Sequence, residues 1–160
     1  CQPHNLGQLD ASLLVPLYHE RKLVNLQLIR PDGTKRFMFG GRVAGAHGPI
    51  GQAAASKPIY VCEGWATGAT IHEHTGAAVA CAMNAGNLLA VGQQLRRIYP
   101  NSPLVIAGDD DRQTKGNPGR TSAERAAEQL GCGVMFPPWS GAEPINLSDF
   151  NDLKNWQEGY

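Results

Sequence analysis

The stretch that most constrains this chain is Leu-Val-Ile-Ala-Gly-Asp-Asp-Asp, residues 104–111. A short apolar run rich in β-branched side chains, preceded by Pro103 and followed by a polar loop, reads as a buried strand of a parallel sheet. In such sheets ligands bind beyond the carboxyl ends of the strands, which is where the aspartates fall. Extended geometry turns Asp109 and Asp111 to one side and Asp110 to the other, because side chains alternate along a strand. Two carboxylates on one face oppose each other's ionisation unless a cation lies between them. Hard divalent cations take such oxygen ligands, magnesium above all when phosphate is the other partner. Taken alone, the stretch also reads as a solvated acidic turn.

A chain of 160 residues with 42% apolar side chains makes one domain, or a domain with a small appendage. Its 14 basic residues balance 14 acidic ones, so no net field points to nucleic acid or membrane, although a local basic patch beside a metal site can still serve nucleic acid. The four cysteines, Cys1, Cys62, Cys81 and Cys132, form no Cys-x-x-Cys pair and no zinc spacing. Cys62 and Cys81 lie in apolar, strand-like runs and are expected to be buried, reduced thiols of a cytosolic protein. No stretch is long and apolar enough to span a bilayer and no signal peptide is visible, so a cytoplasmic location is expected. The chain opens at Cys1 without a methionine, which suggests a piece of something larger.

Residues 1–12 show no clear pattern. Leu13 to Leu17, Leu23 to Ile29 and Arg36 to Phe39 read as short strands, the last two joined by the turn Arg30-Pro31-Asp32-Gly33. In the middle strand Leu23, Asn25, Gln27 and Ile29 share one face, and Val24, Leu26 and Leu28 the other. Residues 40–56 hold five glycines and read as a loop or linker. The expected division is therefore an antiparallel β-module over 1–56 and a second unit over 57–160.

From Pro58 strands and helices alternate. Ile59 to Cys62 is a strand, Ala66 to Thr75 a helix ended by Gly76, and Ala77 to Ala82 a strand. Asn87 is placed to cap a helix carrying Leu88, Val91, Leu95 and Ile98 at helical spacing, ended by Pro100. After the strand Leu104 to Ala107, Thr121-Ser122-Ala123-Glu124 reads as a capping box opening a helix that buries Ala123, Ala126, Ala127 and Leu130. Val134 to Phe136 is a last strand. The fold class is α/β: a Rossmann-like, mostly parallel sheet of about four strands flanked by helices, with the antiparallel β-module in front.

The first parallel strand ends at Glu63-Gly64, and the third at Asp109 and Asp111. If the two strands are neighbours, their three carboxylates meet in one crevice, and Gly64 lets the backbone come close to a ligand. Neither the dinucleotide Gly-x-Gly-x-x-Gly after the first strand nor a phosphate-binding loop of the ATPase kind is present. His72 and His74 are two apart on a helix, so their side chains diverge and they read as surface residues. Trp65 and Trp139 read as packing residues rather than base-stacking platforms, although Trp65, just after the Glu63-Gly64 corner, suits either role.

These residues resemble the Toprim domain of primases, topoisomerases and certain nucleases, whose signature is a glutamate after the first strand and Asp-x-Asp after the third. The likeness is greatest to plasmid- and phage-encoded primases and primase-helicases. It is carried by Val-Cys-Glu-Gly-Trp-Ala-Thr-Gly-Ala-Thr-Ile at 61–71, Ala-Gly-Asn-Leu at 85–88, residues 105–111, and Ser-Asp-Phe-Asn-Asp-Leu at 148–153. The front segment, with Gly-Thr-Lys-Arg-Phe at 33–37, is also similar to the β-rich lead-in of those primases. Relatives often carry Asn at the position of Asp110.

The resemblance implies a Toprim-like fold and synthesis of short RNA primers on single-stranded DNA from ribonucleoside triphosphates, with Mg2+ or Mn2+. It implies metal ligands Asp109, Asp111 and Asp149, the last two residues before Asn151, and Glu63 as general acid/base or further ligand. Asp149 also reads as a helix N-cap, and the two roles are compatible. Expected contacts to nucleic acid and nucleotide are Lys35 and Arg36 on the β-module, Lys115 and Arg120 on the loop after the aspartates near Arg112, and Asn87. Expected partners are zinc-binding and helicase modules of a parent protein, and no membrane. The alternatives are a Toprim metal-dependent nuclease and a non-catalytic module binding metal and nucleic acid. A topoisomerase needs a nucleophilic tyrosine, and none of Tyr18, Tyr60, Tyr99 or Tyr160 has a context that argues for one.

Overall fold

The computed structural model describes residues 6–54 and 56–159, so the expectations for Cys1 and Tyr160 lie outside the described residues. Two sheets organise the chain. The first is antiparallel, with strands β1 (Gly7–Leu9), β2 (Ser12–His19), β3 (Lys22–Ile29) and β4 (Lys35–Phe37) in sequential order. Glu20 and Arg21, both at positive φ, close the β2–β3 hairpin, as tight hairpin turns require. Gly33 at φ 81 closes the β3–β4 turn, donating to Arg30 O at 2.9 Å.

The second sheet has five strands in the order β5 (Gly48–Ile50), β7 (Ala78–Cys81), β6 (Ile59–Cys62), β8 (Leu104–Ala107) and β9 (Gly133–Met135). β6 to β9 are mutually parallel, and β5 runs antiparallel against β7. The glycine-rich stretch read as a loop thus supplies a fifth, edge strand. Three residues centred on Pro49 are too few for a periodic signal, and an edge is where proline is tolerated.

Among the described residues there are four helices: α1 (Trp65–Thr75), α2 (Leu88–Ile98) and α3 (Pro118–Leu130) follow the expected alternation, and α4 (Phe150–Glu158) is the helix expected after Asp149 as its N-cap. Two of their starts differ from the reading. Asn87 precedes α2, after a short 3-10 turn, but makes no side-chain cap. α3 opens at Asn117, whose side chain accepts from Arg120 N, with Pro118 in its first turn. Thr121 instead donates its hydroxyl to Gly116 O at 2.9 Å. A proline pre-set for helix at the first position outweighs a capping box one turn later.

Side chains of the parallel strands alternate between two cores. Ile59, Val61, Ala78, Ala80, Leu104 and Ile106 pack with α2 and α3, including Leu88, Val91, Leu95, Ala123 and Ala126. Cys62, Val79, Cys81 and Ala107 pack on the other face with Trp65 and Ile71 of α1, with Ile50, and with Val15 and Leu17 of β2. This second core ties the two sheets together. Asn25 and Gln27, the polar pair of their face of β3, are the buried ones, because their cross-strand partners are Leu17 and Val15. A side chain at Gly41 would collide with Asn25. Cys62 and Cys81 are free, buried and side by side, with Sγ atoms 3.9 Å apart. No helix among the described residues is long and apolar enough to cross a membrane.

Candidate metal centre

β6 is the topological switch point, since the chain moves from it to β7 on one side and then to β8 on the other. A crevice opens there beyond the carboxyl ends. Glu63 follows β6, and Asp109 and Asp111 follow β8 after Gly108, so adjacency of β6 and β8 brings the expected carboxylates together. Asp149, the N-cap of α4, joins them from the far end of the sequence.

Their electrostatics show how closely they meet. Burial first, then the charges of Asp111 and Asp149, pushes the Glu63 carboxyl up to about 7. Burial, then Glu63, Asp149 and Asp111, pushes Asp109 up to about 8. Glu63 Oε1 and Asp109 Oδ1 are buried and accept no hydrogen bond. A buried acceptor without a donor demands a partner, and among acids the partner that fits is a cation. Among the described residues no three His, Cys, Asp or Glu side chains form a metal cage by themselves. Magnesium beside phosphate needs only one or two carboxylates, with water and phosphate completing its shell.

The other two acids are oriented by neighbours. Asp111 Oδ2 accepts from Gly119 N at 2.8 Å at the start of α3. A Cβ at Gly119 would lie 2.8 Å from that oxygen and 2.9 Å from Asp109 O, so only glycine lets the helix approach. Asp149 Oδ1 accepts from Asp152 N at 2.8 Å, completing a capping box, while its Oδ2 accepts from Thr67 Oγ1 at 2.8 Å. Thr70 Oγ1 reaches Asn151 Oδ1 at 3.1 Å. Thr67 and Thr70 went unremarked in the sequence, although their i, i+3 spacing on α1 puts them on one face, matching the Asp149 and Asn151 pair.

Asp110 faces the opposite way, as strand alternation expects. It is only 4% exposed. It accepts from Arg120 Nε at 3.0 Å, Asn117 Nδ2 at 2.6 Å and Trp139 Nε1 at 3.1 Å. The Arg120 hydrogen bond, with help from Asn117 and Trp139, holds its carboxyl below the usual range. Arg112 lies over the Trp139 ring at 4.0 Å and donates to Pro144 O at 2.8 Å and Leu147 O at 3.2 Å. The segment leading into Asp149 is thereby clasped to the aspartate loop. Trp139 is half-buried and serves this clasp, and Trp65 is a core residue.

The cationic and amide residues expected to meet nucleic acid divide into two groups. Lys35, Arg36 and Lys115 are exposed. Arg120 is engaged with Asp110 and stacked 3.8 Å over Phe136. Asn87 is buried: its Oδ1 accepts from Gly45 N at 2.7 Å, and its Nδ2 donates to Val43, Ala46 and Ala82 carbonyls. It thus ties the segment entering β5 to the end of β7.

A profile of the Toprim domain matches residues 58–157. The chain is 42% identical over 144 residues to a DNA primase TraC of Escherichia coli, covering 83% of this chain and 14% of that protein. A second DNA primase TraC of Escherichia coli is 41% identical over 131 residues, or 78% of this chain and 9% of the relative. The chain therefore spans a small part of the curated relatives it matches. The primase fragment of the bacteriophage T7 primase-helicase superposes with TM-score 0.63 at 16% identity, over 96% of this chain and 61% of that one. A DnaG primase catalytic domain bound to single-stranded DNA gives 0.58 at 15% identity, over 96% and 52%. At such identities the structural likeness is one of fold.

Proposed function

Because the chain belongs to the Toprim domain family, we propose that it is the catalytic piece of a plasmid- or phage-type DNA primase, making short RNA primers on single-stranded DNA. The observation that carries this reading is the acidic crevice at the switch point, with the buried, partnerless Glu63 Oε1 and Asp109 Oδ1. Asp109 and Asp111 would hold magnesium or manganese, with Asp149 beside them. When bound, the metal neutralises triphosphate oxygens and lowers the pKa of the attacking 3′-hydroxyl. Glu63 lies across the crevice as the general acid/base, or as a further ligand. Lys35, Arg36 and Lys115 neutralise phosphates, while Arg120 and Asn87 act by holding the loops in place. In this reading residues 1–56 are an appended β-module and residues 57–160 the catalytic unit. Zinc-binding and helicase modules of a parent protein, and a cytoplasmic location, belong to the same proposal.

The test is primer synthesis on single-stranded DNA with labelled ribonucleotides, in magnesium and then manganese, beside Asp109→Asn and Glu63→Gln. Short oligoribonucleotides that vanish in both variants are the expected result. Metal-dependent loss of the template that vanishes in both variants would reassign the site to a nuclease. If the parent protein were also silent, while metal and single-stranded DNA still bound, the module would be a non-catalytic one.

A further inference from the structure

The chain's neutrality conceals a division. Residues 1–56 carry six basic and three acidic side chains, and residues 57–160 carry eight basic and eleven acidic ones. No acid occurs between Gly33 and Cys62. The nearest, Asp32, accepts from Thr34 N at 2.9 Å and serves its turn. In this acid-free stretch, Lys35-Arg36-Phe37-Met38-Phe39 forms the edge strand β4 and the turn after it. Phe39 is 105% exposed, Met38 50% and Phe37 36%. Neither Lys35 nor Arg36 enters an ion pair among the described residues.

Register says where this ledge points. Phe37 pairs with Gln27 and Lys35 with Ile29, and Gln27 in turn pairs with buried Val15. Lys35 and Phe37 therefore stand on the face of the first sheet that packs against the second unit. Val15 itself lies beside Trp65 and Met83, since a Cβ at Gly48 would touch all three within 3.0 Å. Met83 N donates to Glu63 O at 2.7 Å. The face carrying Lys35 and Phe37 thus runs towards the corner that holds Glu63.

A fully exposed Phe39 beside a partly exposed Phe37, among cations that enter no ion pair among the described residues, is costly to leave in water and suits one class of ligand. A single-stranded nucleic acid offers phosphates to the cations and unstacked bases to the rings. We propose that Phe39, with Phe37, is a base-stacking ledge, that Lys35 on the face of Phe37 holds the backbone of the same strand as it approaches the crevice, and that Arg36, opposite Leu28 on the other face of this edge strand, holds phosphates beyond it. A protein partner is disfavoured by Lys35, which stands on the face of Phe37 and is of a residue type depleted at protein interfaces. The inference rests on the primase reading only for the strand's identity as template, since the ledge binds without metal.

The experiment measures binding of a labelled single-stranded oligothymidylate to the 160-residue chain by fluorescence anisotropy, in chelator and across a salt series. Phe39→Ala is expected to weaken binding about tenfold with the salt slope unchanged, since stacking releases no counterion. Lys35→Ala and Arg36→Ala are expected to weaken binding and flatten the slope by about 0.7 each. Phe39→Trp is expected to keep affinity and to lose fluorescence on binding, and an abasic oligomer to bind Phe39→Ala and the parent sequence alike. Wild-type affinity for Phe39→Ala, or an unquenched Phe39→Trp, would overturn the ledge, leaving the patch to a protein partner. The two readings fail separately. Primers made by a protein whose binding ignores Phe39 sink the ledge, and Phe39-dependent binding without primers sinks the catalytic reading.

Discussion

Asp109 and Asp110 are adjacent residues of the same type with opposite surroundings. On the crevice side Asp109 has burial, four carboxylate neighbours (Glu63, Asp149, Asp111 and Asp152) and a partnerless oxygen, and its carboxyl rises to about 8. On the other side Asp110 receives three donors, and its carboxyl is lowered. One strand end therefore carries an acid left poor in partners and an acid saturated by the scaffold around it. Perturbed acids in a cleft mark function, whereas a satisfied buried acid marks architecture.

The sharpest way to break this contrast is to neutralise each side. Asp109→Asn and Glu63→Gln should cut primer synthesis by ~10²-fold or more while leaving the metal-free protein at least as stable, because each removes repulsion. Thermal melts with and without magnesium check this. The wild type should gain melting temperature on adding the metal and Asp109→Asn should not. A metal-free Asp109→Asn protein less stable than wild type would contradict a repulsive crevice.

Asp110→Ala should behave in the opposite sense. It strands Arg120, Asn117 and Trp139 together and should cost ~3 kcal/mol in denaturant unfolding, with and without metal alike. Asp110→Asn retains part of the network and should cost about half as much.

The seam between the sheets supplies a third kind of buried polar group. Burial lowers His47 from 6.5 to about 4, outweighing the opposing effect of Gln94, and His19 adds a still smaller lowering. The folded protein therefore holds it neutral. Its stabilising effect is complete above pH 6.5 and is lost as pH falls through 6.5 towards 4. Relative to a His47→Gln variant, wild type should lose ~2 kcal/mol between pH 7 and pH 5, read as the difference between the two proteins' unfolding curves. Raised Glu63 and Asp109 push the other way over the same range, which is why the difference is needed. The smallest effect belongs to Thr67→Val, which removes one donor from Asp149. It should cost ~1 kcal/mol and weaken the metal-induced rise in melting temperature without abolishing it.

Much of this was legible in one dimension because strands write their own grammar. The strand Leu104 to Ala107, the alternation that sets Asp109 and Asp111 against Asp110, and Glu63 at the end of Ile59 to Cys62 follow from period-two geometry. The turn at Gly33 follows from local backbone preference. Strand β5 was hidden, being three residues that gain meaning only by pairing with β7. The buried face of β3 was also hidden, because Asn25 and Gln27 look solvent-facing until Val15 and Leu17 are set opposite them. Arg120 and Asn87 look like ligand contacts until the fold gives their donors to Asp110 and to the carbonyls of residues 43, 46 and 82.

By itself, then, the sequence determined the alternating α/β order and which acids end which strands, since these depend on neighbours a few residues apart. Tertiary structure alone decided that β6 and β8 lie side by side, that Thr67 reaches Asp149 across 82 positions, and which cations remain free. A hydrogen bond or a shared crevice joins groups by distance in space, and chain order does not encode that distance until the core has closed.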